Sequence, residues 1–168
     1  MDINWEKIEA SPEPFSIFRP TFDDNDKTMD LYRKLLNTPL YLSDEYRTEQ
    51  MAFNLLQYYF SGINLFYEIG SWGGVFGLVN IRLPWKATMV VKLWDSSLWS
   101  KTLLKNGRQL LKTIMKELNL KKIESSTPDE KMTKVYKMAG FELEGIRKLS
   151  FCWDGVYYDD YLFGLMED

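Results

Sequence analysis

Between residues 101 and 118 the chain carries a long, strongly one-sided helix pattern. Leu103/Leu104, Gly107, Leu110/Leu111, Ile114/Met115 and Leu118 recur at steps of three and four, while Lys101, Lys105, Arg108, Lys112 and Lys116 take the other face. Such a stripe draws its stability from packing on a partner surface. Strand-like segments flank it: Ala87–Trp94, whose centre Met89-Val90-Val91 is a continuous apolar run, and Lys121–Ser125. The run suits a strand buried on both faces. Strands joined through a helix lie parallel, since an antiparallel pair needs only a short turn. The architecture to expect is therefore α/β with a mixed sheet.

The remaining segments extend this unit in both directions. After residues 1–14, read as a leader, Phe15-Ser16-Ile17-Phe18-Arg19-Pro20 alternates apolar and polar residues and stops at proline, as an edge strand does. An Asp-rich turn from Asp23 to Asp26 leads into a helix with Met29, Leu31, Tyr32, Leu35 and Leu36, closed by Asn37-Thr38-Pro39. Ser43 is the expected N-cap of a second helix, which runs through Tyr46, Met51, Phe53, Leu56 and Tyr59 to Gly62. Asn64–Ile69 and Val75–Ile81 follow as strands about Gly70-Ser71-Trp72-Gly73-Gly74. Beyond the long helix, Thr127-Pro128-Asp129-Glu130 combines a Thr cap, a first-turn proline and a Glu three residues after the cap. That helix passes through Met132, Val135 and Tyr136 to Gly140, and a hairpin, Phe141–Trp153 and Val156–Met166 about Asp154-Gly155, closes the chain. The expected order is β-α-α-β-β-β-α-β-α-β-β, a single domain over residues 1–168 with helices on both faces of a mixed sheet. At 168 residues and 45% hydrophobic content, one well-filled core is available.

Two absences restrict the chemistry. The chain has no histidine, which excludes Ser-His-Asp and Cys-His triads, histidine-ligated zinc and a histidine general base. Its one cysteine, Cys152, excludes an internal disulfide and a cysteine-cluster metal site, so no metal is expected. With no histidine to activate it, Cys152 reads as a small buried apolar residue. Chemistry is left to carboxylates, Tyr, Lys, Ser/Thr and the backbone. No apolar stretch approaches the ~20 residues of a membrane span, and Met1–Lys7 lacks a signal-peptide pattern. A cytoplasmic protein without membrane contact is expected.

Charge is unevenly placed. The net charge is −3, but residues 1–84 carry 7 Lys/Arg against 12 Asp/Glu, and residues 100–137 carry 10 against 4. The basic stretch is either a solvated helix face or a site for an anionic ligand. A nucleic-acid partner is not expected from so short a run in an acidic chain. The acidic first half would favour a cationic substrate.

Four local signatures in order then resemble a known family. Phe18-Arg19-Pro20 resembles an opening Leu-Arg-Pro strand. Tyr136-Lys137-Met138-Ala139-Gly140-Phe141, with Glu144-Gly145 after it, resembles Tyr-Glu-Lys-x-Gly-Phe. Asp154-Gly155-Val156-Tyr157-Tyr158-Asp159 and Phe163-Gly164-Leu165 resemble Asn-Gly-x-Tyr-x-Asp and Tyr-Gly-Leu. Together with the element order these are similar to the GNAT superfamily of acyl-CoA N-acyltransferases, over about Phe15 to Leu165. Within it, the likeness is to the branch containing the ribosomal-protein N-terminal acetyltransferases.

The resemblance implies acetyl-CoA as co-substrate. Its pyrophosphate would lie at a Gly-rich loop and helix N-terminus, where backbone N–H groups and the helix dipole favour an anion. Ungapped counting places Trp99-Ser100-Lys101-Thr102-Leu103-Leu104 on the branch's Trp-Gly-Lys-Gly-Tyr-Ala, and a second register recovers only Gly107. Both glycines are replaced, so β-carbons crowd the phosphate position while the Ser100 and Thr102 hydroxyls could donate to it. The family's contacting Asn and Ser in the next helix fall on Asp129 and Met132. Backbone at the end of the buried strand, Lys92, Leu93 and Trp94, would hold the pantetheine and polarise the thioester.

For the thiolate, the resemblance implies Tyr136 as general acid, against ordinary core as the plain alternative. A base for the amine would be a carboxylate, with Glu124 and Glu68 as candidates, each also readable as a surface ion-pair residue. The expected function is acetyl transfer from acetyl-CoA to a primary amine of a protein N-terminus, a lysine or a small molecule. The alternative is an inactive GNAT-fold binding or structural protein, for which a phage origin would be natural. A homodimer is compatible with either.

Overall fold

The strands announced by alternation and by apolar runs all form, within one sheet. The computed structural model describes residues 3–21, 26–61 and 63–167. The start of the Asp-rich turn and the helix stop expected at Gly62 lie outside the described residues. In chain order the elements are α1 (Trp5–Glu9), β1 (Phe15–Phe18), α2 (Asp26–Asn37), α3 (Glu49–Phe60), β2 (Leu65–Ile69), β3 (Gly74–Arg82), β4 (Lys86–Leu93), α4 (Lys101–Leu118), β5 (Lys122–Thr127), α5 (Glu130–Met138), β6 (Glu142–Trp153) and β7 (Val156–Met166).

The seven strands pair in the order β1-β2-β3-β4-β5-β7-β6, and only β4 and β5 are parallel neighbours. The long helix makes that crossover as its periodicity requires. The second strand-helix-strand unit does not produce a neighbouring pair, because β7 inserts antiparallel between β5 and β6. The Asp154-Gly155 turn, with φ of 49° and 73°, folds the last two strands into a hairpin, and β7 then completes β5.

Helices cover both faces. Leu103, Leu110, Leu111, Ile114, Met115 and Leu118 of α4 pack with Tyr67, Phe76, Leu78, Ala87, Met89 and Ile123 on one side. Each such burial contributes roughly 1.5–3 kcal/mol. On the other side Leu31 and Leu35 of α2 and Leu56 of α3 pack with Phe66, Val75 and Val79. No helix among the described residues is long and apolar enough to cross a membrane.

Three local expectations are corrected. The leader is part of the core: it forms α1, whose Ile8 is fully buried and whose carbonyl accepts the Tyr67 hydroxyl at 3.1 Å. Ser43 caps nothing with its side chain; it precedes a single 3-10 turn, Asp44–Tyr46, and Thr48 is the cap of α3, accepting the Met51 N–H at 3.3 Å. Thr127 is the last residue of β5 and not the cap of α5. Asp129 takes that role and accepts the Lys131 N–H at 2.9 Å, because β5 runs two residues further than the apolar pattern indicates.

Candidate active site

Strand β4 is not buried on both faces along its length, and this departure creates the site. β4 pairs with β5 only at Lys86↔Lys122, Ala87↔Ile123 and Thr88↔Glu124. Past that rung the strands part, so the β5-facing backbone groups of Val90 to Leu93 have no strand opposite them. A cavity of about 350 Å³ opens in the gap. The β4 residues Thr88 to Leu93 line it, with Ser126 to Asp129 across the opening, Met132 and Tyr136 from α5, Tyr59 from α3, and Trp99 at the rim.

Ser125 closes the apex of the split. Its hydroxyl donates to the Met89 carbonyl at 3.0 Å, which commits its hydrogen. In its 2.8 Å contact with the Tyr136 oxygen the phenol is therefore the donor. Tyr136 is 5% exposed, stacked on Phe163 with centroids 4.8 Å apart and set edge-on to Phe141. Burial pushes its phenol up to about 12, against the lowering effect of the Ser125 bond and with help from the charge of Asp160. The group is thus a neutral proton donor across the physiological range.

Lys92, Leu93, Trp99 and Asp129 line the cavity. Burial lowers the Lys92 ammonium, while the nearby Asp129 carboxylate acts in the opposite sense. Leu103 and Leu104, with Trp99, instead line an apolar crevice between α4 and α5 that also reaches Tyr136. Trp94 lies outside both: its indole N–H donates to the Trp72 carbonyl, and its ring packs on Trp72 at 5.3 Å. Ser100 caps α4, its Oγ accepting the Leu103 N–H at 3.0 Å. That cap leaves the N–H groups of Lys101 and Thr102, both exposed residues, at the helix start.

The two carboxylates expected as bases lie away from this cavity. Glu124 sits on an ion pair with Lys86 at 2.8 Å and faces Lys122 at 3.4 Å. Burial alone would raise its carboxyl, but the two ammonium groups outweigh that and hold it below the usual range. Glu68 pairs with Lys27 across the β2 surface.

Among the wall residues that the sequence did not mark for a site are Tyr41, Tyr59, Phe151 and Asp160. Burial, then the neighbouring Tyr59 and Tyr136, raise the Tyr41 phenol. Asp160 is 4% exposed, and its Oδ2 accepts from Arg147. A carboxylate beside the apolar run Tyr161-Leu162-Phe163 was the available signal.

No protein-family model matches the sequence, and no curated protein matches it. Solved structures do. A spermidine N-acetyltransferase from Vibrio cholerae, in complex with CoA and spermine, is 17% identical, with a TM-score of 0.67 over 91% of this chain and 95% of that one. The ribosomal-protein-S5-alanine acetyltransferase of Vibrio fischeri is 18% identical, with a TM-score of 0.58 over 83% and 82%. A GNAT-family acetyltransferase from Bacillus anthracis is 16% identical, with a TM-score of 0.58 over 90% and 94%.

Proposed function

We propose that this chain, which has the fold of the GNAT acyltransferases, is an acetyl-CoA-dependent N-acetyltransferase that acts on a primary amine. The observation that carries this reading is the split between β4 and β5, which opens a cavity lined by the buried phenol of Tyr136. The β5-facing backbone groups between Val90 and Leu93, whose other edge pairs with β3, are suited to take the amides of an extended pantetheine arm as an added strand would. The start of α4 fits the pyrophosphate in part: the Lys101 and Thr102 N–H groups remain for it, while the Ser100 side chain occupies the place a glycine would leave open.

The amine nitrogen attacks the thioester carbonyl carbon, the N–C bond forms and the C–S bond breaks. Tyr136 gives its proton to the departing sulfur. A primary ammonium loses two protons on becoming an amide N–H; one restores Tyr136 and the other passes to solvent. A positioned acid of this kind contributes about 10²–10⁴ in rate. The acceptor is a protein N-terminus, a lysine or a small amine.

Calorimetric titration of CoA and acetyl-CoA into the wild type and Lys101→Glu tests the proposal. Saturable binding is expected, weakened in the variant, with mass spectrometry showing a 42 Da gain (about one acetyl group) on an amine. No binding at millimolar ligand overturns it.

A further inference from the structure

The register of β4 with β5 ends at Thr88↔Glu124, and Met89 and Ser125 are the next residues in line. There the Ser125 side chain spans the gap, its hydroxyl donating to the Met89 carbonyl at 3.0 Å. Ser125 is 6% exposed, and its oxygen takes the Tyr136 phenol at 2.8 Å. A hydroxyl has one hydrogen and two lone pairs, so both contacts are made at once only with this polarity. Tyr136 donates to Ser125, and Ser125 donates to Met89.

That polarity cannot persist while Tyr136 acts as an acid. Its O–H must turn from Ser125 to the departing sulfur, and the phenol oxygen becomes an anion as the proton leaves. Its surroundings are poor for an anion: Phe163 is stacked on the ring, Phe141 stands edge-on to it, and the charge of Asp160 opposes it. A buried anion without a donor is costly. Ser125 is already at hydrogen-bond distance and can supply that donor. Rotation about its Cβ–Oγ bond moves the hydrogen from the Met89 carbonyl to the phenol oxygen and breaks no covalent bond. The ionised acceptor makes the stronger hydrogen bond, so the exchange is favoured as charge develops. In keeping with this, the Ser125 contact acts to lower the Tyr136 phenol against the effect of burial.

We propose that Ser125 is the positioning residue of the proton donor: it holds the Tyr136 oxygen while the phenol is neutral and turns its own hydrogen to that oxygen as the proton passes to sulfur. The assignment rests on the transferase reading above and adds to it the group that supports the charge left on Tyr136. In the step the Tyr136 O–H bond breaks and the S–H bond forms, while Ser125 keeps its hydrogen throughout. The proton from the amine that restores Tyr136 returns the Ser125 hydrogen to the Met89 carbonyl. Ser125 touches no reacting atom and acts through Tyr136. A hydroxyl that served only the Met89 carbonyl and the fold would matter equally with or without the phenol.

The test is steady-state acetylation of n-butylamine, spermidine and an unblocked hexapeptide by wild type, Ser125→Ala, Tyr136→Phe and the double variant, with Ser125→Thr as the form that keeps the hydroxyl. Thermal unfolding of each variant verifies that it folds. Ser125→Ala should lower kcat by about tenfold or more and leave the acetyl-CoA and amine KM values within about threefold. In the Tyr136→Phe background the same substitution should change kcat by less than about twofold, since no phenol is left to support. Ser125→Thr should recover most of the loss. The assignment is overturned if Ser125→Ala turns over within about twofold of wild type, if its loss is equal in both backgrounds, or if the loss lies in KM and not in kcat. If Ser125→Ala does not fold, Ser125→Cys, a weaker donor of similar size, takes its place in the same cycle with the same outcomes. A wild type that acetylates none of the three amines overturns the transferase reading, and this assignment falls with it. A wild type that acetylates one of them without coupling between Ser125 and Tyr136 overturns this assignment alone.

Discussion

The carboxylate of Asp44 accepts the backbone N–H of Gly155 at 2.9 Å, across 111 positions of sequence. The same carboxylate accepts the Asp154 N–H at 3.0 Å and the Arg47 guanidinium at 2.9 Å. Arg47 in turn reaches Asp154 at 2.6 Å and lies 3.8 Å from the Trp153 ring centroid. The loop between α2 and α3, whose residues 40–42 line the cavity, is thereby fastened to the tip of the β6–β7 hairpin.

This latch gives stability an acid limit. The Gly155 N–H first of all, then Arg47, the Asp154 N–H and Cys152, outweigh partial burial and lower the Asp44 carboxyl from 3.8 to about 2. Ionisation therefore favours the folded chain fully above pH 3.8, and the contribution is lost as pH falls to about 2. Thermal unfolding midpoints should fall across that window in the wild type and fall less steeply in Asp44→Asn. Identical acid profiles would remove Asp44 from the account.

Tyr136→Phe deletes the phenol and keeps the ring that stacks on Phe163. If the hydroxyl has the role proposed for it, giving its proton to the leaving sulfur, turnover should drop by about 10²–10⁴ while the acetyl-CoA KM stays within a few-fold. A Phe variant with wild-type turnover would make Tyr136 ordinary core.

Ser100→Gly removes the oxygen that caps Leu103 and frees the first turn of α4 for an anion. Glycine is a tolerable cap, so the stability loss should be only a few tenths of a kcal/mol. Acetyl-CoA affinity should rise by about threefold or more, as a helix N-terminus open to phosphate predicts. Weaker binding on calorimetry would mean that the Ser100 hydroxyl is itself a ligand donor.

Ile8→Ala tests whether the first residues belong to the fold. Ile8 is fully buried, packs into the α4 side of the core, and its carbonyl takes the Tyr67 hydroxyl. Denaturant unfolding should show a loss of about 2–5 kcal/mol. A change below about 0.5 kcal/mol, the size of an ordinary surface substitution, would return α1 to the status of a detachable leader.

Much of this architecture is local and therefore legible in the order of residues. The stripe of α4, the alternation of β1, the apolar centre of β4 and the Asp154-Gly155 turn each name their element, because helix and strand periods and left-handed turn residues are properties of neighbours along the chain. The motifs at Phe18-Arg19-Pro20, Tyr136–Phe141 and the last hairpin led from those elements to the GNAT fold, which the solved structures share. The resemblance to the family also brought Tyr136, Lys92, Leu93 and Trp99 to notice, and all of them line one cavity. It could not exclude Glu124 and Glu68 from that wall, because each is drawn into ion pairs with lysines far away in sequence. Nor could it single out Asp160. Its burial arises where β7 outruns β5 and Arg147 covers one oxygen from the neighbouring strand. Periodicity determines which face a side chain takes; only the packing of distant segments decides whether the carboxylate there is buried and which cation meets it.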